Sequence, residues 1–146
     1  RPKEIKMPGQ KMIISAEEFI NLINSNIEAD NKRAITEEAD ESVWENVIAK
    51  YPDYEFFILQ NETIQPNTIN LLSKSENWKT RHGIAKKRRS DTKILALLSN
   101  DENPIVRQAI ASNQKTPHAI LKRLCSDTDD RVSRVANYNI RLRPQQ

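Results

Sequence analysis

Glycine is scarce in this chain, because Gly9 and Gly83 are the only two among 146 residues. β-Hairpin turns and phosphate-binding loops both depend on glycine. The scarcity therefore argues against β-rich folds and against nucleotide-binding loops. The supply of leucine, isoleucine, alanine, lysine and glutamate instead favours helix.

Cysteines and long apolar runs are lacking as well. Cys125 is the one cysteine, so no internal disulfide can form, and we expect a reducing, cytoplasmic location. No run of about 18 apolar residues is present. The first ten residues have no apolar stretch behind their charges, so we expect neither a membrane-spanning helix nor a signal peptide. Residues 1–11, ahead of Met12, are interpreted as a flexible tail or an artificial extension.

Candidates for catalysis and metal binding are few and dispersed. A closed zinc site needs about four sulfur or nitrogen ligands, and the chain offers His82, His118 and Cys125. His118 and Cys125 lie about 10 Å apart along one predicted helix, too far for a nucleophile–base pair. Residues 37–41, EEADE, lack the glycine of a calcium loop and are interpreted as a solvated helical face. We therefore predict a protein that is not an enzyme and has no cofactor.

A repeat of 26 residues is the main positive signal. Segments that start at Leu71, Leu97 and Arg123 align without gaps. In each segment two apolar positions three residues apart form the stripe of a first helix. These positions hold Ile69, Leu95 and Leu121, and then Leu72, Leu98 and Leu124.

Polar residues mark the ends of the predicted helices. Ser75, Asp101 and Asp127 precede a second helix in each repeat, and their oxygens can cap it. Pro104 stands where a proline of the first turn is tolerated. Thr116 is predicted as the N-cap of the next first helix, with a proline directly after it.

Each repeat closes on a polar position, and the positions recur at intervals of 26 residues. Asparagine tolerates the left-handed backbone conformation that ends many helices. We therefore interpret these positions as helix ends. They hold Asn61, Lys87, Asn113 and Asn139.

The segment DENPIVRQAIASNQKTPHAILKRL, which starts at Asp101, resembles bacterial variant leucine-rich repeats and their HEAT-like relatives. The resemblance extends over roughly residues 40–140. It implies an all-α fold, a right-handed α-solenoid of stacked two-helix repeats, and functions in binding or scaffolding. Some relatives carry an iron–sulfur cluster on a cysteine-rich segment, which this chain lacks. Ser133 and Asn137 depart from the pattern, as suits an atypical terminal repeat.

The predicted organisation is an N-terminal capping helix within residues 12–36 and a helical repeat domain at 37–146. In the cap, Ser15 and Glu18 have the spacing of a capping box, and Phe19, Leu22 and Ile23 are predicted to face inward. The repeat units are predicted at about 40–64, 65–90, 91–115 and 116–141.

Charge is segregated along the chain. Residues 1–66 carry seven basic and thirteen acidic side chains, whereas residues 67–146 carry sixteen basic and seven acidic ones. The net charges are therefore −6 and +9. The basic strip at 79–107 could follow a phosphate backbone or an acidic protein surface, and an aromatic within it could stack on a base. Its candidate partner-binding residues are Trp78, Lys79, Arg81, Lys86, Lys87, Arg88, Arg89 and Arg107.

Structural roles compete with binding at these positions. An arginine column can bond to an aspartate column in the same or the next repeat, which suits Asp101 with Arg107 and, less well, Ser75 with Arg81. The cluster at 86–89 can be ordinary solubilising charge, and Trp78 a packing residue. A group of early aromatics is interpreted as a bulkier core of the first unit, with a protein-docking surface as the alternative. This group comprises Phe19, Trp44, Tyr51, Tyr54, Phe56 and Phe57.

The leading functional hypothesis is a monomeric, protein-binding adaptor, regulator or inhibitor, with an acidic partner among the options. Nucleic-acid binding through the strip at 79–107 is the alternative. It would show steep salt dependence. Hydrolytic or transfer chemistry ranks last, because no group of residues supports it.

Overall fold

The structure, a computed structural model, describes residues 12–144 and is mostly helical there, as the sequence predicts. The tail predicted at 1–11 lies outside the described residues. The chain divides between Leu72 and Ser73 into two compact units. No helix in the described range has the length and apolar content to cross a bilayer. The helices of the first unit are α1 Ala16–Asn24, α2 Glu28–Thr36, α3 Glu41–Lys50, α4 Glu55–Gln60 and α5 Pro66–Leu72. Those of the second are α6 Trp78–Lys87, α7 Thr92–Leu98, α8 Pro104–Ser112, α9 His118–Leu124 and α10 Asp130–Leu142.

The N-terminal region of the first unit is a pair of helices rather than one capping helix. Ser15 caps α1 as predicted, since its side chain accepts a hydrogen bond from the Glu18 N–H at 3.0 Å. The Asn31 side chain, on α2, donates to the carbonyl of Leu22 at 2.8 Å and so fastens α2 to α1. Phe19 and Leu22 are buried as predicted, and Ile23 is half-buried.

The acidic segment EEADE is not part of a helix, so the prediction of a solvated helical face there is wrong. Glu37 ends α2 and is buried, because the Arg33 guanidinium bonds to it at 2.6 Å. Strand β2, Glu38–Ala39, pairs in parallel with strand β1, Met12–Ile13. Asp40 then caps α3. Strands of two residues leave no alternating pattern from which to predict them.

Only part of the early aromatic group forms a core. Phe19 and Trp44 are fully buried and meet edge to face, with ring centroids 5.0 Å apart. Phe56 and Phe57 on α4 are exposed instead. The interpretation of the whole group as a bulkier core is therefore wrong for α4.

The second unit is a succession of helices in which α6 packs on α7 and α8, and α10 packs on α8 and α9. Both predicted apolar positions of the first helices, α7 and α9, are fully buried or nearly so. The second helices, α8 and α10, add Val106, Ile110, Val132 and Ala136 to the core. Ala109 and Val135, which share their predicted stripe, are half-buried.

The caps of the second helices lie two residues beyond the predicted positions. Asn77, Asn103 and Asp129 accept hydrogen bonds from N–H groups in the first turns of α6, α8 and α10. Asp101 and Asp127 instead turn their carboxylates toward arginines. Pro104 is the first residue of α8, as predicted.

Two further predictions about helix ends are wrong. Thr116 does not cap α9, because its hydroxyl donates to the Ile110 carbonyl at 2.7 Å and Pro117 takes the cap position. Asn61 and Asn113 have φ values of −71° and −84°, so neither is left-handed. α10 continues past Asn139 to Leu142.

Candidate partner-binding groove

The guanidinium of Arg81 lies inside the second unit. Its Nε and Nη2 donate to the two carboxylate oxygens of Asp101 at 2.7 Å and 3.0 Å, and its Nη1 donates to the Ser75 carbonyl at 2.7 Å. Arg81 is 8% exposed. The hydrogen bond to Asp101 raises the pKa of Arg81 further above its ordinary value.

Arg107 repeats this arrangement one repeat later. It donates to both carboxylate oxygens of Asp127 at 2.9 Å and 3.0 Å, and to the Asp101 carbonyl at 2.7 Å. Burial disfavours the Asp127 carboxylate, but hydrogen bonds from Arg107 and from the Asp129 N–H outweigh it, so the pKa of Asp127 is lowered. Each arginine therefore bonds to the backbone of its own repeat and to an aspartate 20 residues later. The structure does not place Arg81 and Arg107 in an exposed row of cations.

A groove of about 340 Å³ separates α6 from α8 on the outside of the second unit. Its lining is partly apolar, and it carries cationic and neutral polar side chains as well. It contains Ala85, Ile105 and Ala109, together with His82, Lys86, Arg89, Gln108, Ser112 and Asn113.

The cluster at 86–89 divides between the groove and other positions. Lys86 and Arg89 line the groove, and both are exposed. Lys87 is exposed but is not part of the lining. Arg88 is half-buried at the end of α6, and its buried Nε has no hydrogen-bond partner within residues 12–144.

Lys86 and Arg89 have no carboxylate partner in the part of the chain that the structure describes. Four aspartates of the second unit are paired with arginines: Asp101 and Asp127 with the two inner arginines, and Asp129 and Asp130 with arginines on α10 at 3.0 Å each. The groove therefore presents uncompensated positive charge beside apolar surface.

His82 stands inside the groove rather than at a solvent-facing position, as the sequence had suggested. It is half-buried, and its ring lies 6.3 Å from that of Trp78, edge to face. Burial, with a contribution from Lys86, lowers the pKa of His82 below its ordinary value. The imidazole is therefore mainly neutral at pH 7. Trp78 is half-buried, with the exposed Lys79 ammonium 6.0 Å from its ring.

The same helix face continues along the repeat. Arg134 and Tyr138 on α10 stand 52 residues after His82 and Lys86, which makes them the equivalent positions two repeats later. Tyr138 is 59% exposed. Sequence reasoning overlooked Tyr138, Ile105 and Gln108, although the 26-residue columns contain the signal that relates them to the basic cluster.

Cys125 and His118 stay outside this groove. Burial raises the pKa of the half-buried Cys125 thiol, which therefore stays protonated at neutral pH. His118 is exposed at the start of α9. Within residues 12–144, no three His, Cys, Asp or Glu side chains come together in a group that could hold a metal ion.

Comparison of the chain with models of known protein families, with curated proteins and with solved structures gave no match in any of the three. The functional interpretation therefore depends on the residues and their geometry.

Proposed function

We propose that this protein is a non-enzymatic adaptor that binds an acidic segment of a partner protein in the groove between α6 and α8. One observation carries the proposal. Lys86 and Arg89, both exposed and without an internal carboxylate partner, flank an apolar lining that includes Ile105. Such a surface matches a segment in which carboxylates alternate with apolar side chains.

The groove suits a peptide better than a nucleic acid for two reasons. Arg81 and Arg107, which could have followed a phosphate backbone, are already bonded to aspartates. Trp78 is half-buried against His82, so its ring offers little free face for a stacked base. A protein partner also gains from the apolar lining, which phosphates and sugars do not use.

Nucleic-acid binding remains the second candidate, because residues 73–146 carry sixteen basic and seven acidic side chains. A net charge of +9 attracts any polyanion at low salt. Such binding would weaken steeply as salt is added, because it depends on released counterions.

We further propose that the repeats stack as a right-handed α-solenoid and that the chain acts as a cytoplasmic monomer. The lateral packing of α6, α8 and α10 in the second unit supports the stacking. The resemblance to HEAT-like repeats supports the handedness, and the single cysteine supports the location.

A titration with defined peptides tests the groove. The probe is a labelled peptide of about 12 residues in which glutamate alternates with leucine, measured with the full chain at about 150 mM NaCl. We expect Lys86→Glu with Arg89→Glu to weaken binding about tenfold or more. The matched control is Lys93→Glu with Lys115→Glu, which reverses two exposed lysines outside the groove. We expect it to change affinity less than about twofold.

Three outcomes would contradict the proposal. The control reversal might weaken binding as much as the groove reversal, which would show a response to net charge alone. A peptide with glutamine in place of glutamate might bind equally well, which would remove the role of the cations. Tighter binding of a duplex RNA or DNA than of the peptide, lost in the groove variant, would favour the nucleic-acid candidate.

A further inference from the structure

Helix α4 in the first unit presents two neighbouring phenylalanines to solvent. Phe56 is 55% exposed and Phe57 is 37% exposed, whereas Ile58 and Leu59, the next two residues, are buried. Together with the half-buried Tyr54, they form a surface that we call the aromatic patch. Contiguous exposed aromatics are uncommon on a protein that binds nothing there, and they are favoured at interfaces.

The rings of the patch are held in place by contacts with each other. Phe57 lies between its two neighbours, with centroid distances of 5.6 Å to Tyr54 and 6.0 Å to Phe56. The Tyr54 hydroxyl accepts a hydrogen bond from the Asn24 side chain at 2.8 Å. Because these contacts already restrict the rings, docking a partner there would order few further side chains.

The charge around the patch is negative. Residues 12–72 carry twelve acidic and three basic side chains, a net charge of −9. Asp53 is exposed directly before Tyr54. Glu17, also exposed, accepts a hydrogen bond from the Tyr51 hydroxyl at 3.1 Å. One of the three basic residues, Arg33, is paired with Glu37. An occupant with lysine or arginine side chains would therefore find carboxylates beside the rings.

We infer that the aromatic patch, with Glu17 and Asp53, is a second docking surface for a partner segment that interleaves lysine or arginine with apolar residues. The apolar side chains pack on Phe56 and Phe57, and the cations bind the carboxylates or the faces of the rings. This occupant is opposite in charge to the one proposed for the groove. The two surfaces therefore select different segments, and one chain can hold both.

Paired titrations of the full chain test this inference. The probe is a labelled peptide of about 12 residues in which lysine alternates with leucine, at about 150 mM NaCl. We expect Phe56→Ala with Phe57→Ala to weaken its binding about tenfold or more. Glu17→Lys with Asp53→Lys should weaken it by a similar factor. Neither pair should affect binding of the glutamate–leucine peptide, which separates this surface from the groove.

The matched control is Ile27→Ala with Ile35→Ala on α2 and the residue before it. These isoleucines are 61% and 37% exposed, close to the exposures of Phe56 and Phe57. We expect the control to bind the lysine–leucine peptide within about twofold of the natural chain. Thermal unfolding of each variant, together with the single substitution Phe56→Ala, separates loss of binding from loss of the fold.

Two results would overturn the inference. One is unchanged binding of the lysine–leucine peptide by the folded Phe56 and Phe57 variants. The other is an equal loss in the isoleucine control, which would show that the peptide responds to any exposed apolar side chain. Loss of glutamate–leucine binding in the groove variant with lysine–leucine binding intact would support both surfaces independently. A failure confined to the groove peptide would leave this second surface standing.

Discussion

The guanidinium of Arg107 joins parts of the chain that are distant in sequence. It bonds to the Asp101 and Glu102 carbonyls in its own repeat and to the Asp127 carboxylate in the next. The two charged side chains are 14% and 9% exposed. Both charges are therefore largely removed from water, and each depends on the other for compensation.

We expect Arg107→Met to destabilise the second unit by about 2–4 kcal/mol, because it leaves the Asp127 carboxylate largely buried without its partner. Arg107→Met combined with Asp127→Leu should recover a large part of this loss. The free energy of unfolding in urea, followed by circular dichroism, measures both. The control is Arg134→Met, which removes an ion pair whose side chains are about 80% exposed. A loss in Arg134→Met as large as in Arg107→Met would contradict this account.

His82 gives the groove a dependence on pH. Its pKa is lowered in the free protein, and a bound carboxylate would raise that pKa by favouring the imidazolium. Binding therefore takes up protons, and affinity for the glutamate–leucine peptide should rise as the pH falls. We expect a rise of about threefold between pH 8 and about 5.5, measured by anisotropy.

The control for this effect comes from the repeat itself, since Gln108 occupies the position equivalent to His82. His82→Gln should make the affinity independent of pH over the same range, whereas His118→Gln on α9 should leave the dependence intact. A pH dependence that survives His82→Gln would assign the titration to another group.

Residue chemistry was predictable only where the repeat constrains it. The columns suggested an arginine–aspartate ladder, yet the register of the bonds differs from the one expected. Asp101 contributes its carbonyl to Arg107 and its carboxylate to Arg81. A column alignment shows which residue types recur. It does not show which atom of a residue faces which repeat, because that depends on how the loops pack.

At the scale of elements, the asparagines that close the repeats act as links between loops. The Asn113 side chain donates to the Arg89 carbonyl at 2.8 Å and accepts from the Lys115 N–H at 2.9 Å. Asn61 does the same in the first unit, where its side chain donates to the Ala34 and Glu37 carbonyls. These amides satisfy backbone groups that would otherwise lack partners at the helix ends.

We expect Asn113→Ala to destabilise the protein by about 1–3 kcal/mol, since it leaves a carbonyl and an N–H near the core without partners. Asn113 is 4% exposed. Its neighbour Gln114 is exposed, and Gln114→Ala should change stability by less than about 0.5 kcal/mol. Urea unfolding compares the two. Equal midpoints for both variants would show that the Asn113 amide is not a structural link.

Helices were predictable from the apolar stripes, but their ends were not. The stripe residues on α5, α7 and α9 are buried as the period requires. Caps were displaced by one or two residues, because several polar side chains follow each stripe and any of them can cap. Asn103 took that role while Asp101, two residues earlier, bonded to an arginine. Competition of this kind is decided by tertiary contacts.

At the scale of the whole molecule, the charge boundary coincides with the structural one. Residues 67–72 carry no charge, so the net values of −6 and +9 also apply to the units that meet at Leu72 and Ser73. The sequence showed this segregation but not that the boundary divides the predicted unit at 65–90, with α5 in one body and α6 in the other. The repeat period carries no signal of where cohesion changes.

The ladder in the second unit also bears on how such a chain can change in length. Each rung joins residue n to residue n+20 within a period of 26, as in Arg81 to Asp101 and Arg107 to Asp127. Duplication of one whole period would supply a new arginine together with its acceptor, so no charge would be left over. An insertion of any other length within residues 81–101 would separate donor from acceptor. The bonding register therefore favours growth by whole modules, and gene duplication in steps of 78 nucleotides is the genetic event that it tolerates best.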